Sequence, residues 1–150
     1  MDTPSRPARI LALDVGERRI GLALSDALGI TAQGLPTLER RDLGQDLDAL
    51  RGLAREHHIA TWLLGLPLHL SGQEGRQAGK VRRLGAALAR HTRVPVVYWD
   101  ERFTTVEATR VLREAGSSRD QHRRAVDRLA AVILLQSYLD AAHFRPPDPS

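Results

Sequence analysis

The chain has 150 residues, a formal charge of +4 at pH 7 and no cysteine. This length is typical of one domain whose core needs no covalent staples, and the lack of cysteine excludes disulfides and thiolate metal sites. No apolar run approaches the roughly 20 residues of a membrane span, and residues 1–8 are too polar for a signal peptide. We therefore expect a cytoplasmic protein without a membrane partner.

The first half of the chain predicts an antiparallel meander followed by a helix. Residues 1–8 contain two prolines and little to bury, which is typical of a flexible tail. Two apolar runs joined by a short glycine-containing turn, Arg9–Val15 and Ile20–Ser25, predict a hairpin, and Thr31–Leu38 predicts a third strand. Leucines at helical spacing then predict a helix over Asp42–His57.

The middle of the chain predicts two buried parallel strands separated by a loop and a helix. The apolar runs Thr61–Leu66 and Val94–Trp99 are short and uninterrupted, as is typical of such strands. Glycine and polar residues between them predict a long loop over Leu68–Gly79. The next residues predict a helix over Lys80–His91, with apolar residues inward and basic residues outward.

The last third of the chain predicts two helices and a second tail. The helices are expected over Thr104–Ala115 and residues 124–142, and residues 144–150 form a proline-rich tail. The whole order predicts an α/β fold in one domain over residues 9–143. Its mixed five-stranded sheet would combine an antiparallel N-terminal meander with parallel strands, covered by helices on both faces.

Three acidic residues interrupt apolar patterns. Asp14 lies inside the first strand, Glu101 follows the end of a buried strand, and Asp127 heads an apolar stripe on the last helix. A buried carboxylate is costly unless it is paired or binds a cation. Two simpler explanations remain open: a salt bridge from Arg18 or Arg19 to Asp14, and a favourable helix dipole for Asp127 in a first helical turn.

A divalent-metal site would account for all three acids together. Oxygen ligands suit Mg²⁺ or Mn²⁺, and two such ions about 3.5–4 Å apart activate a water and stabilise the leaving oxygen of a phosphodiester. Basic side chains would then contact the nucleic-acid backbone. Candidates for that contact are Arg18, Arg76, Lys80, Arg102, Arg123 and Arg124. Alternatively, Arg18 is an exposed turn residue, the basic residues at positions 76, 80, 123 and 124 belong to ordinary solvated helix faces, and Arg102 pairs with Asp100.

Four blocks, in this order and at these separations, resemble the YqgF/RuvX family. They are ILALDVGERRIGLALSD from Ile10, LLGLPLHLSGQEG from Leu63, VVYWDERFTTVEA from Val96 and VDRLAAVILLQSYLD from Val126. The resemblance implies an RNase H-like fold and a metal-dependent catalytic triad of Asp14, Glu101 and Asp127. Some related resolvases carry a fourth carboxylate one helical turn after the third, and this sequence has Ala130 at that position. His69 and Phe103 are smaller departures from the family pattern.

The resemblance implies a hydrolase that cleaves phosphodiester bonds, first of all in 5′-end processing of pre-16S rRNA during ribosome biogenesis. Its partners would be RNA and ribosomal precursor particles. The alternative is a Holliday junction resolvase acting on branched DNA, and the protein could be a monomer or a homodimer. A non-catalytic RNA-binding assembly factor is a further alternative. An actin-like ATPase also carries D-x-G in its first hairpin, but Glu17 stands where threonine is expected.

Overall fold

The computed structural model describes residues 8–104 and 120–143. The predicted tails and the predicted helix over Thr104–Ala115 lie outside these ranges, apart from residues 8 and 104. The strands are β1 (Arg9–Val15), β2 (Arg19–Ser25), β3 (Ala32–Glu39), β4 (Ile59–Leu66) and β5 (Val96–Asp100). The helices are α1 (Leu43–His57), α2 (Arg76–Thr92) and α3 (Asp120–His143), and a 3₁₀ turn covers Glu101–Phe103.

The five strands form one mixed sheet in the order β3-β2-β1-β4-β5. β1 pairs antiparallel with β2, and β2 with β3, whereas β1–β4 and β4–β5 are parallel pairs. The parallel strands therefore end together at one edge, at Val15, Leu66 and Asp100. This edge is where ligand sites of α/β sheets tend to gather. The predicted mixed sheet is confirmed.

The sheet is covered by helices on both faces, also as predicted. Alternate side chains such as Leu13 and Leu64 pack with α1 and α2 in one core cluster. The intervening side chains, among them Ala12 and Leu63, pack with the apolar stripe of α3 in a second cluster. Within the described ranges, no helix is long and apolar enough to cross a membrane.

Helix α2 begins four residues before the predicted position. The predicted loop over Leu68–Gly79 is wrong in its last part, because the helix starts at Arg76 with the extended Gly75 as its N-cap. Glycines at positions 75 and 79 made this stretch resemble a loop. Their backbones are nevertheless joined by the first hydrogen bond of the helix, from the Gly79 N–H to the Gly75 carbonyl at 3.1 Å.

Helix α3 also begins early, and this changes the interpretation of Asp127. The helix starts at Asp120 rather than Arg124, so Asp127 lies seven residues inside it, in the third turn. The dipole of a helix acts mainly on its first and last turns. The explanation of Asp127 as a first-turn acid is therefore wrong, and its burial at 6% exposure needs another cause.

Candidate active site

Asp14 points from β1 toward helix α3. Side chains alternate between the two faces of a strand, and Ala12, two residues earlier, belongs to the core cluster of α3. Leu13 and Val15 belong to the opposite cluster. Asp14 is 1% exposed and stands one residue from the end of its strand. This carboxylate thus lies on the face of the sheet that α3 covers. It stands at the edge where the parallel strands end, which we call the site edge.

A glycine lies beside Asp14 on each neighbouring strand. Gly21 of β2 is its direct partner in the antiparallel register. On the other side, Leu13 pairs with Leu64 of β4, so Gly65 follows next to Asp14. Neighbouring strands lie about 4.8 Å apart, so a residue with a side chain at either position would crowd the carboxylate. Because neither glycine has a side chain, both leave room on the α3 face for groups from other parts of the chain.

The space above Gly65 is taken by Glu101. A Cβ placed on Gly65 would stand 2.5 Å from the Glu101 Oε1 and 3.1 Å from a methyl group of Leu134 on α3. Glu101 is 3% exposed and follows directly on the last residue of β5. Its carboxylate therefore lies over β4, one strand away from Asp14.

The space above Gly21 is taken by the backbone of α3. A Cβ at Gly21 would overlap with the carbonyl oxygen of Asp127 and stand 2.9 Å from the carbonyl carbon. Helix α3 thus crosses β2 in direct contact with the sheet at the turn that carries Asp127. The fold therefore brings the three predicted acids to one face and one edge of the sheet. Glu101 lies on one side of Asp14, and the turn that carries Asp127 lies on the other.

The three carboxylates share this face without forming a closed ligand set. Within residues 8–104 and 120–143, no group of three or more His, Asp or Glu side chains lies close enough together to hold a metal ion. The donor set itself fits a hard cation, since all three groups offer carboxylate oxygens and are at most 6% exposed. Asp14 and Glu101 form the rigid part of the set, because strands and their direct continuation carry them.

Arg102 pairs with Asp100 rather than pointing freely into solvent. Its Nη2 donates to the Asp100 Oδ2 at 2.7 Å, and its Nη1 donates to the Leu70 carbonyl at 3.2 Å. The hydrogen bond from Arg102 holds the pKa of Asp100 below its usual range. The alternative in which Arg102 pairs with Asp100 is confirmed. The pair connects the loop at Leu70 to the segment that carries Glu101, and so helps to hold that carboxylate in place.

The other predicted basic residues lie in two groups around the same edge. Arg18 stands in the β1–β2 turn, while Arg76 and Lys80 are exposed at the start of α2. Arg124 lies on α3 and donates to the Glu39 carboxylate at 3.1 Å, which Arg19 also binds at 2.9 Å. Hydrogen bonding from Arg19, with the charge of Arg124, lowers the pKa of Glu39.

Arg123 is the remaining basic candidate. It lies in α3, one residue before Arg124. Its side chain lies outside the described part of the structure.

Sequence reasoning missed the glycines and two arginines. Gly21 and Gly65 stand inside apolar strands, and a glycine in such a position is a known signal of close approach by a backbone or a charged group. Arg40 and Arg41 precede the α1 helix and line a pocket at the site edge. Their sequence position carried no signal, because a basic pair before a helix is common on any solvated surface.

A family model and curated relatives match most of this chain. A family model described as "RuvX: Holliday junction resolvase" matches residues 8–141. A protein of Symbiobacterium thermophilum named "Putative pre-16S rRNA nuclease" is 47% identical over 140 residues, which cover 93% of this chain and 97% of that protein. A protein of the same name from Koribacter versatilis is 53% identical over 132 residues, covering 88% and 86%.

A solved structure also shares the fold. Thermus thermophilus RuvC, in complex with a Holliday junction substrate, superimposes with a TM-score of 0.56 at 16% identity. The match covers 91% of this chain and 96% of that one. At this identity the likeness concerns the fold alone, which is the mixed sheet with helices on both faces found here.

Proposed function

The chain belongs to the RuvX family and has a resolvase-type RNase H-like fold, and on this premise we propose that it is a divalent-metal nuclease acting in 5′-end processing of pre-16S rRNA. As a nuclease it is a hydrolase of ester bonds and binds nucleic acid. One observation carries the assignment of its site. Asp14 and Glu101 are buried on one face of the site edge, with the Asp127 turn of α3 packed against the same face.

The roles of the three acids follow from how firmly each is held. Asp14 lies between the other two and would bridge two ions or bind the one that activates water. Glu101 and Asp127 would each complete the ligand shell of one ion. Carboxylates repel one another, so gathering them into one set requires an opposite charge. Asp127 is carried by α3, which packs on the sheet without being part of it, and this suits a ligand that joins the set last.

Mg²⁺ or Mn²⁺, two ions when fully loaded, would supply a metal-activated water and neutralise charge at the leaving oxygen. The residues of the chain do the rest. Asp14 and Glu101 present their oxygens in fixed directions, Leu134 and the apolar stripe of α3 exclude water from one side, and the Arg102–Asp100 pair keeps the Glu101 segment in place. Phosphate contacts fall to Arg18, Lys80 and the other basic residues around the edge.

Two substrates compete within the nuclease class. The relatives named as pre-16S rRNA nucleases support RNA, at 47% and 53% identity over most of the chain. The description of the family model supports a four-way DNA junction instead. A junction resolvase needs two sites related by a two-fold axis, hence a homodimer, whereas trimming of an RNA end needs only a monomer. An rRNA substrate implies that the protein acts in the cytoplasm, with ribosomal precursor particles as its partners.

A side-by-side cleavage assay tests this proposal. Wild-type protein is incubated with single-stranded RNA, a precursor of 16S rRNA and a four-way DNA junction, each with Mg²⁺ and with Mn²⁺. We expect cleavage of the rRNA precursor near the mature 5′ end. Symmetric cuts on the junction and none on RNA would establish the resolvase instead. Binding of RNA without hydrolysis in either metal would identify a non-catalytic assembly factor.

Gly65→Ala tests whether the glycine makes room for Glu101. The new methyl group would overlap with Glu101 Oε1, so the carboxylate must move by about 1 Å, and misplacement on this scale costs on the order of 100-fold in rate. We expect cleavage to fall by that factor, as measured by initial rates at saturating metal. Gly52→Ala on α1, where a Cβ has open space, is the control and should cut at the wild-type rate. Normal activity in Gly65→Ala would show that Glu101 does not need the space above Gly65 to act.

A further inference from the structure

A pocket of about 630 Å³ opens at the site edge, on the opposite side of the sheet from α3. Its walls come from the β1–β2 turn, the connection between β3 and α1, and the first residues of α2. The pocket carries four basic side chains, Arg18, Arg40, Arg41 and Lys80. It begins three residues after Asp14, so roughly 10 Å of chain separates the two.

Two of the three acids that line the pocket, Glu39 and Asp46, are already matched by cations or N–H donors. Glu39 is bound by Arg19 and Arg124. The buried Asp46 accepts from the Arg41 backbone N–H at 2.9 Å and lies 3.6 Å from the Arg40 guanidinium. These neutralised carboxylates do not compete for a further cation.

The positive charge in the pocket is not matched in the same way. The side chains of Arg18 and Arg41 make no ion pair with any residue in the described ranges, and both are exposed. Lys80 stands 3.9 Å from Glu17, the third acid of the pocket lining, whose side chain is 79% exposed. A contact this exposed contributes little, so Lys80 remains available to an external anion.

Arg40 is held in place and shapes the pocket. Its Nη1 donates to the Gly16 carbonyl at 2.9 Å, and its backbone N–H donates to the Arg18 carbonyl at 2.8 Å. These bonds join the β1–β2 turn to the start of α1 and so bring Arg18 and Arg41 to the same pocket. The first turns of α1 and α2 both reach it, and α2 has neither an acidic residue in its first turn nor a side-chain cap on its amides. The dipole of α2 therefore favours an anion there, whereas the start of α1 already carries the Asp42 cap and the acidic Asp46.

We infer that this pocket binds a phosphate of the substrate backbone, a few nucleotides from the bond that is cut. Arg18, Arg41 and Lys80 contact the phosphate, and Arg40 is a positioning residue. The inference rests on the proposed nuclease function and extends it: the polymer crosses the site edge, from the acids on the α3 face to the pocket on the α1/α2 face. An arginine fork suits a phosphate in geometry as well as in charge.

The test compares two double variants for binding, in an Asp14→Asn background so that the substrate stays intact. Arg18→Gln/Arg41→Gln removes the pocket charges. Arg55→Gln/Arg90→Gln removes the same charge from exposed arginines in the last turns of α1 and α2, about 15–20 Å from the pocket. Fluorescence anisotropy is measured with a labelled single-stranded RNA and with a labelled four-way DNA junction, over a series of salt concentrations.

We expect the pocket variant to bind roughly tenfold more weakly than the control variant. This holds for the probe, RNA or DNA junction, that the wild-type protein cleaves. For single-stranded RNA, the slope of log affinity against log salt should fall by about 1.4, which corresponds to two lost phosphate contacts. Equal affinities and slopes in the two double variants would overturn the inference, as would a background protein that binds neither probe. Binding of inorganic phosphate that is lost in the pocket variant, while this variant binds the polymer like the control, would assign the pocket to a small phosphate ligand and would also overturn the inference.

The proposed function has a separate readout. Wild-type protein that cuts neither probe contradicts the nuclease assignment. A wild-type protein that cuts, together with a pocket variant that binds like the control, contradicts only the phosphate pocket.

Discussion

Asp14→Asn is expected to lower metal-dependent cleavage on the order of 1000-fold. The substitution keeps the shape of the side chain and removes its charge, so the central ligand of the proposed site no longer attracts a cation. A loss of about 4 kcal/mol of transition-state stabilisation corresponds to this factor. The measurement is the initial rate on the preferred substrate with saturating Mg²⁺ or Mn²⁺.

The same variant should fold normally. Asp14 is 1% exposed among other acidic groups, and removal of its charge relieves repulsion on that face. We therefore expect a melting temperature within a few degrees of wild type. Asp48→Asn, at an exposed acid that contacts His91 between α1 and α2, is the matched control and should cleave normally. Retained cleavage in Asp14→Asn would remove this residue from the site.

Gly21→Ala is expected to cause the largest loss of stability. Its methyl group would overlap with the Asp127 carbonyl, which belongs to a helix backbone and has no rotamer to change. Helix α3 or strand β2 must shift as a unit. Such overpacking costs about 3 kcal/mol, which lowers the melting temperature by roughly 6–12 °C in a chain of this size. Thermal unfolding followed by circular dichroism measures the shift.

Cleavage by Gly21→Ala should also fall at temperatures where the protein is folded, because the turn that carries Asp127 moves away from Asp14. Gly52→Ala separates this effect from a general response to glycine replacement. Its Cβ meets nothing within 4 Å on α1, and alanine favours a helix, so its melting temperature should rise slightly. A Gly21→Ala protein as stable as wild type would mean that α3 does not press on β2 at this point.

Local patterns were sufficient for most of the secondary structure. Strands β1 and β2 are mostly apolar runs, and α1 has an N-cap in Asp42, whose side chain accepts from the Gln45 N–H at 2.8 Å. Local patterns failed at the starts of α2 and α3. Glycine and polar residues favour loops in isolation, whereas packing of Ala78 and Val81 against the sheet outweighs that preference in the folded chain.

The three acids were identified from the sequence because each breaks an apolar pattern, and the pleat of β1 already sets Asp14 on one face and Leu13 on the other. The sequence did not show that the three acids lie close together, because this depends on which distant strands pair and in what register. Asp14 comes to lie between Gly21 and Gly65 only when β2 and β4 pair with β1, and α3 must cover that face to bring Asp127. The pocket of Arg18 and Arg41 also forms only in the tertiary structure. Strand pairing and helix packing bring together segments more than twenty residues apart, and no local sequence preference encodes that contact.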